Sequence, residues 1–188
     1  VEIDLDCIAA NVSAVKNRLP EGTELIAVVK ANGYGHGDVQ AAQTALCSGA
    51  SMLAVAFLDE ALSLRKKGIR APILVLGVCR PEDVNVAARE EIILTVAEKA
   101  WLEKAAEVLQ DDEQLKFHVK LDTGMGRLGI RDGEELAALE AFARQDHRLL
   151  IEGVFTHFAT ADEKDSEYFH QQAEKFNQLL TCMEQPPA

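Results

Sequence analysis

Short apolar segments recur six times in this chain of 188 residues, and each is followed by a stretch with helical periodicity. The segments contain few polar residues, which is typical of parallel strands that are covered on both faces. A regular alternation of strand and helix allows two architectures, an open doubly wound sheet and a (β/α) barrel. The predicted strands are Leu25–Lys30, Met52–Phe57, Ile73–Gly77, Ile92–Val96, Phe117–Asp122 and Ile151–His157.

The ends of the predicted strands carry residues that can do chemistry. Lys30, Asp122 and His157 each stand where a strand stops and a loop begins. In a barrel, this rim is the face that carries the active site. A complete barrel has eight strand–helix units and about 250 residues, whereas this sequence supplies six units. We therefore predict an α/β fold, an incomplete (β/α)8 TIM-type barrel with about six βα units.

Acidic residues mark the starts of several predicted helices, where a carboxylate can accept hydrogen bonds from free N–H groups. Asp4 or Asp6 is the predicted N-cap of the first helix. Asp59 and Asp132 are the predicted N-caps of two later helices. No linker long enough to separate domains interrupts the pattern.

The charge of the chain disfavours two classes of partner. It has 31 acidic and 19 basic residues and a formal net charge of -12, so a nucleic acid or an anionic membrane surface would be repelled. There is no apolar run of membrane-spanning length and no secretory signal pattern. The four cysteines lie far apart, without a metal-binding or disulfide-framework spacing. We expect a cytoplasmic protein with reduced thiols and a small-molecule ligand.

The first candidate site is the segment AVVKANGYGHG at residues 27–37. A lysine at the end of an apolar strand, here Lys30, can act as a nucleophile toward an aldehyde or as a base. Three glycines in five positions let the backbone approach a ligand, and the N–H groups after Gly37 could receive a phosphate. The Tyr34 hydroxyl is in reach of that anion. The alternative is a lysine that extends to solvent above a flexible turn.

The second candidate site is KLDTGMGRLG at residues 120–129, whose glycines match the G-x-G-x-x-G pattern of dinucleotide sites. A dinucleotide site is disfavoured because the next helix begins near Asp132, several residues after the glycines. As a rim loop, the segment presents Arg127, whose planar guanidinium suits an oxygen anion of a cofactor. Lys120 either pairs with a nearby carboxylate or braces Arg127, which requires its charge to be neutralised or reversed.

The third candidate site is GVFTHFA at residues 153–159. His157 closes a predicted strand, where it can stack on a flat ring or hold a polar network. The alternative is a histidine whose hydrogen bonds are satisfied in the core. The histidines and cysteines show no metal-ligand spacing, and there is neither a G-x-S-x-G elbow nor a Walker P-loop. We therefore predict no metal site.

Together, and in this order, these segments resemble bacterial alanine racemases. The similarity covers essentially the whole chain, and the lysine segment and the DTGMGRLG segment are its most specific parts. The matching stretches are VEIDLDCIAANV at 1–12, AVVKANGYGHG at 27–37, AVAFLDEALSLRKKGI at 54–69, APILVLG at 71–77, KLDTGMGRLGIR at 120–131 and GVFTHFATAD at 153–162.

The resemblance implies a site for pyridoxal 5'-phosphate. By the family pattern, Lys30 forms the Schiff base with the cofactor and is the base on the D-alanine face. Tyr34 would bind the cofactor phosphate, Arg127 the phenolic oxygen of its ring, and His157 would lie beside the ring in a hydrogen-bond network. In many members the lysine that matches Lys120 is carbamylated, and its negative charge would then orient Arg127.

The resemblance also implies the reaction, the interconversion of L- and D-alanine for cell-wall peptidoglycan by a homodimer. The family's second base is a tyrosine from a C-terminal β-domain of the partner subunit. Residues 1–188 correspond to the N-terminal part of the barrel domain, and that β-domain is absent from them. We therefore expect this chain to be inactive alone. The alternative within the wider family is a non-racemising pyridoxal-phosphate-binding barrel of the homeostasis type.

Overall fold

The computed structural model describes residues 2–164 and 167–187. The strands are β1 (Ile26–Val28), β2 (Met52–Val55), β3 (Ile73–Val75), β4 (Ile92–Val96), β5 (Leu115–Lys120) and β6 (Leu149–Phe155). The helices are α1 (Leu5–Lys16), α2 (Lys30–Tyr34), α3 (Asp38–Cys47), α4 (Leu58–Lys66), α5 (Val84–Arg89), α6 (Lys99–Val108), α7 (Gly133–Arg144) and α8 (Glu167–Leu180), and a 3-10 turn (Pro81–Asp83) precedes α5. Within the described ranges, no helix has both the length and the apolar character needed to cross a membrane.

Each strand pairs in parallel with the next strand of the chain, in the order β1-β2-β3-β4-β5-β6. A doubly wound sheet would reverse its strand order at a switch point. The sequential order therefore favours the barrel over the open sheet. The predicted α/β class, with six strands and the helices of an incomplete (β/α)8 barrel, is confirmed.

Five of the six predicted strands extend two residues too far at their carboxyl end. For example, the first was expected to reach Lys30, but β1 ends at Val28. Val29 N still donates to Ala54 O at 2.8 Å, and the chain then turns. The residues at the rim are thus anchored by the neighbouring strand without belonging to the regular ladder.

The chain forms two compact units. The first contains Val1–Cys79 and Arg89–Ile93, and the second contains Arg80–Ala88 and Leu94–Ala188. Each unit has a core of buried apolar side chains. Removing apolar surface from water is the main favourable free-energy term in folding. The core side chains include Ala42, Leu53, Val55, Ala61 and Ile73 in the first unit, and Leu94, Leu102, Phe117, Leu136 and Leu139 in the second.

Two of the predicted helix caps are confirmed and one is wrong. Asp4 caps α1 and Asp132 caps α7, each accepting two backbone N–H groups. Asp59 does not cap α4, because that helix begins one residue earlier and Phe57 is its N-cap residue. Phe57 has no side-chain acceptor, and its own N–H donates to Glu60 Oε2 at 3.0 Å.

Arg65 on α4 is a buried cation held by backbone carbonyl groups. Its side chain is 6% exposed. Nε donates to Glu90 O at 2.9 Å and Nη2 to Glu91 O at 3.0 Å, while Nη1 donates to Ile69 O at 3.0 Å and Ala71 O at 2.7 Å. Arg65 therefore joins α4 to the loop before β3 and to the turn before β4, using the fork of donors that only arginine has.

Replacing Arg65 with methionine is expected to lower the free energy of unfolding by about 1–3 kcal/mol, because buried carbonyl groups lose their donor. Urea denaturation of the complete gene product measures the change. Arg70→Met, the same substitution at an exposed position of the same unit, is the control and should stay within about 0.5 kcal/mol of the wild type. Equal effects of the two substitutions would contradict this account of Arg65.

Candidate active site

Lys30 lies at the first position of the turn that follows β1. Its side chain is half-buried, and its Nζ lies 6.0 Å from the centroid of the Tyr34 ring. Tyr34 is 59% exposed. An amine that can attack an aldehyde and a hydroxyl that can bind an anion thus share one short turn. The structure brings these two predicted site residues together.

The turn after Lys30 is the segment α2 (Lys30–Tyr34), and its backbone is left-handed and not that of a regular α-helix. Ala31, Asn32 and Tyr34 have φ angles of 53°, 55° and 55°, and Gly33 has a φ of 61°. Left-handed angles cost a residue other than glycine roughly 1–2 kcal/mol each. The alternative interpretation of the sequence was a flexible turn, yet three of these left-handed positions carry side chains. This turn is therefore a strained and defined conformation that the surrounding structure must stabilise.

The first backbone N–H groups of α3 already have acceptors from nearby side chains. Asp38 N donates to Asn32 Oδ1 at 3.0 Å, and Val39 N donates to Asp38 Oδ1 at 2.8 Å. We expected the N–H groups after Gly37 to be available for a phosphate. Because these two groups have acceptors and the Asp38 carboxylate stands among them, an anion is disfavoured here, and Tyr34 remains the anion-binding candidate of this segment.

The carboxylate of Asp122 holds the backbone of the second candidate segment through hydrogen bonds. Its side chain is 1% exposed. Oδ1 accepts from Gly124 N at 3.1 Å and Gly126 N at 3.0 Å, and Oδ2 accepts from Arg131 Nε at 2.9 Å and Nη2 at 2.7 Å. Burial alone would raise the pKa of Asp122, but the hydrogen bonds from Gly126, Arg131 and Gly124 outweigh it and lower the pKa to about 2.

The loop between Leu121 and Ile130 carries Arg127, whose side chain is exposed. A backbone bridge closes the loop, because Asp122 N donates to Ile130 O and Ile130 N donates to Lys120 O, both at 2.9 Å. Helix α7 begins only after the loop has closed. The glycines therefore do not open a helix, which argues against a dinucleotide site, and the loop presents Arg127 from a closed backbone frame.

Lys120 is buried at 5% exposure, at the end of β5. Its Nζ donates to Leu121 O at 2.7 Å and lies 5.4 Å from the centroid of the Phe155 ring. Burial lowers the pKa of Lys120; the Asp122 carboxylate opposes this effect and Arg127 adds to it. Asp122 itself is paired with Arg131, so the structure does not show the alternative in which Lys120 pairs with this carboxylate.

His157 is exposed and lies two residues beyond the end of β6. It is therefore not a core histidine. Its neighbour Thr156 links the second and third segments, since Thr156 Oγ1 lies 2.9 Å from Thr123 Oγ1 and donates to Leu121 O at 3.0 Å. Lys120, Arg127 and His157 belong to the second unit, whereas the lysine segment belongs to the first.

Two residues of α8 that the sequence analysis did not single out hold the loops of the second unit. Tyr168 donates its hydroxyl to Gly124 O at 2.6 Å. Gln172, which is fully buried, accepts from Ala159 N at 2.9 Å and donates to Tyr168 O at 3.2 Å. A Cβ on Gly124 would lie 2.5 Å from the Tyr168 hydroxyl, so a larger residue here would force the tyrosine side chain to shift.

The carboxylate of Asp122 should make stability depend on pH. Because its pKa is lowered to about 2 in the folded chain, its stabilising effect is present above the ordinary pKa of 3.8 and is lost as the pH falls toward 2. We expect Asp122→Asn to lower the free energy of unfolding by about 1–2 kcal/mol at pH 7, with a shrinking difference below pH 4. Chemical denaturation across this range measures it.

The matched control for this prediction is Asp112→Asn, an exposed aspartate of the same unit. It should change the free energy of unfolding little at any of these pH values. A difference between wild type and Asp122→Asn that does not shrink in acid would contradict the role of the ionised carboxylate.

Three comparisons place this geometry among known proteins. The family profile for "Alanine racemase, N-terminal domain" matches residues 3–187. The chain is 56% identical over 187 residues to the alanine racemase of Geobacillus kaustophilus, a match that covers 100% of this chain and 49% of that protein. The chain therefore spans about half the length of the curated relatives it matches.

Solved structures agree with the sequence comparison. The crystal structure of alanine racemase from E. faecalis superposes with a TM-score of 0.95 at 45% identity, covering 98% of this chain and 50% of that one. A histidine racemase from Leuconostoc mesenteroides subsp. sake matches with a TM-score of 0.93 at 32% identity, covering 98% of this chain and 50% of that one. From its profile match, its identity to curated members and its fold, this chain belongs to the alanine racemase family.

Proposed function

We propose that the protein is a pyridoxal-phosphate-dependent racemase that interconverts L- and D-alanine and supplies D-alanine for peptidoglycan. The observation that carries the proposal is the position of Lys30, an amine placed two residues after a parallel strand in a constrained turn that also carries Tyr34. Membership of the family supports the same assignment.

The side chains present fit the functional groups of the cofactor, which are an aldehyde, a phosphate and a phenolic oxygen. We assign the Lys30 amine to the aldehyde and the Tyr34 hydroxyl to the phosphate. We assign the exposed guanidinium of Arg127 to the phenolic oxygen, because a planar fork of donors suits an oxygen anion. His157, exposed at the end of β6, is assigned to a hydrogen-bond network beside the ring.

When bound, pyridoxal phosphate withdraws electrons from the substrate and makes its Cα–H bond acidic. Inversion at Cα then needs a proton removed on one face and returned on the other, so two acid–base groups are required. We assign the D-alanine face to Lys30 Nζ. Tyr34 is assigned to the phosphate, and Tyr168 donates its hydroxyl to Gly124 O at 2.6 Å, so neither tyrosine of the chain serves the other face.

We therefore propose that the second base is a tyrosine from a C-terminal β-domain, contributed by the partner subunit of a homodimer. Residues 1–188 would form the N-terminal part of the barrel domain and would lack racemase activity alone. We also propose a cytoplasmic location, which the free thiols of Cys7, Cys47 and Cys182 support.

Lys30→Ala tests the central assignment. In the complete gene product, this substitution should abolish the visible absorption band that added pyridoxal phosphate gives when it condenses with the amine. The exchange of the alanine Cα proton in D2O should fall by at least about 100-fold, since a positioned acid–base group contributes about that much or more. Lys66→Ala, an exposed lysine of the same unit, is the control. An unchanged band in Lys30→Ala would overturn the assignment.

Conversion of L-alanine into D-alanine separates the racemase from the non-racemising module, because Cα exchange on one face needs only one base whereas inversion needs two. A gene product that forms the band through Lys30 but produces no D-alanine from L-alanine would support the module, which the lack of a second base within these residues favours. The structural match to a histidine racemase makes the substrate side chain a separate question. If the Cα proton of histidine exchanges faster than that of alanine, the proposed substrate changes to histidine and the proposed reaction class stays the same.

We further propose that Lys120 is carbamylated. In this step a neutral amine attacks CO2, an N–C bond forms while one C=O π bond opens and leaves its electron pair on oxygen, and the amine proton is released to solvent. Burial of Lys120 lowers its pKa, which increases the neutral fraction that can react. The resulting negative charge would turn the repulsion between Lys120 and Arg127 into an attraction that orients the guanidinium.

Carbamylation of Lys120 predicts a carbamate carbon signal in the 13C NMR spectrum of the complete gene product after equilibration with 13C-bicarbonate. The signal should be absent in Lys120→Arg, which keeps a positive charge but has no amine that reacts with CO2. Lys104→Arg, at an exposed position of the same unit, is the control and should keep the signal. A wild-type protein without any carbamate signal would refute the proposal.

A further inference from the structure

We propose that Glu60 is a positioning residue for Lys30, because its carboxylate fastens the left-handed turn after Lys30 to the end of β2. This inference rests on the proposed function, in which Lys30 condenses with the cofactor aldehyde. It adds a residue that lies outside the lysine segment and does not itself contact the cofactor in the assignments above.

The contacts of Glu60 join two loops of the first unit. Glu60 Oε1 accepts from Ala31 N at 2.6 Å, directly after Lys30. Glu60 Oε2 accepts from Ala56 N at 2.7 Å and from Phe57 N at 3.0 Å, directly after β2. One carboxylate therefore binds three backbone donors, and its two oxygens are divided between the two loops.

The turn needs this acceptor because the hydrogen bonds within the turn do not use the Ala31 N–H. Gly33 N donates to Val29 O at 2.9 Å and Gly35 N donates to Ala31 O at 3.1 Å, so the turn uses the Ala31 carbonyl but not its N–H. Ala31 is also the first left-handed residue, with a φ of 53°. Glu60 thus acts at the peptide that sets the direction in which the Lys30 side chain leaves the backbone.

The charge arrangement shows why a carboxylate is needed at this position. Both oxygens of Glu60 face N–H donors. A carboxamide of the same shape would present its NH2 group to one of the two loops, leaving a donor opposed to a donor. Glu60→Gln is therefore expected to release either the Ala31 contact or the contacts at Ala56 and Phe57.

A simpler role for Glu60 would be to stabilise the start of α4 alone, through the Phe57 N–H and the positive end of the helix dipole. That role predicts a loss of stability without any effect on the turn or on the affinity of Lys30 for the cofactor. The two roles therefore differ in measurable quantities other than stability.

The experiment compares Glu60→Gln with Asp59→Asn in the complete gene product. Asp59 is the exposed acidic residue next to Glu60 in the first turn of α4, so both substitutions remove one negative charge from the same helix start. Amide hydrogen exchange of the apo protein reports on residues 30–34. Titration with pyridoxal phosphate, followed by borohydride reduction, reports the affinity and the yield of the covalent linkage to Lys30.

We expect Glu60→Gln to accelerate exchange in residues 30–34 by about tenfold or more, the change that loss of one charge-assisted hydrogen bond allows. The apparent affinity for pyridoxal phosphate should weaken by a similar factor under conditions where the variant is fully folded. Asp59→Asn should behave as the wild type in both measurements. Wild-type exchange and affinity in folded Glu60→Gln would overturn the inference.

The outcomes also separate this inference from the proposed function. If the wild type forms no linkage at Lys30, the proposed function fails, and the exchange measurement alone decides whether Glu60 holds the turn. If Glu60→Gln does not fold, Glu60→Asp takes its place. It keeps the charge at the helix start but is one methylene shorter and cannot span both loops, so the same acceleration and weakening are expected, and their absence would overturn the inference.

Discussion

Parallel pairing of strands in chain order is the constraint on which the rest of the structure depends. In each unit, neighbouring strands run in the same direction, so their carboxyl ends meet at one edge. The residues that follow those ends take no part in the regular strand pairing, and their side chains can take part in binding or catalysis. Lys30 after β1 and His157 after β6 are side chains of this kind.

Buried or half-buried carboxylates give these loops their shape. Glu60 accepts three backbone N–H groups in the first unit, and Asp122 accepts two in the second. Each carboxylate thus orders the loop that bears a basic side chain, Lys30 in one case and Arg127 in the other. Charge-assisted hydrogen bonds suit this task because they are shorter and stronger than neutral ones.

The order of strands and helices could be predicted because apolar runs and helical periodicity are local patterns. The left-handed turn could not, since Ala31 and Asn32 have no residue preference that marks a positive φ as strongly as glycine does. Glu60 and Gln172 were missed for another reason. They bind backbone N–H groups 29 and 13 residues away, and such contacts leave no spacing in the sequence. The cap expected at Asp59 was wrong because an acid inside the first turn serves α4 instead.

The Tyr168 hydroxyl on the Gly124 carbonyl joins positions 44 residues apart. This one hydrogen bond thus couples the position of the segment bearing Arg127 to the position of Tyr168 in the first turn of α8. Nitration or iodination of this ring would weaken the hydrogen bond to Gly124 and so shift the Arg127 guanidinium without modifying the arginine itself. The ring of Tyr168, which lies on α8, in this way influences the position of a charged side chain on a loop far away in the sequence.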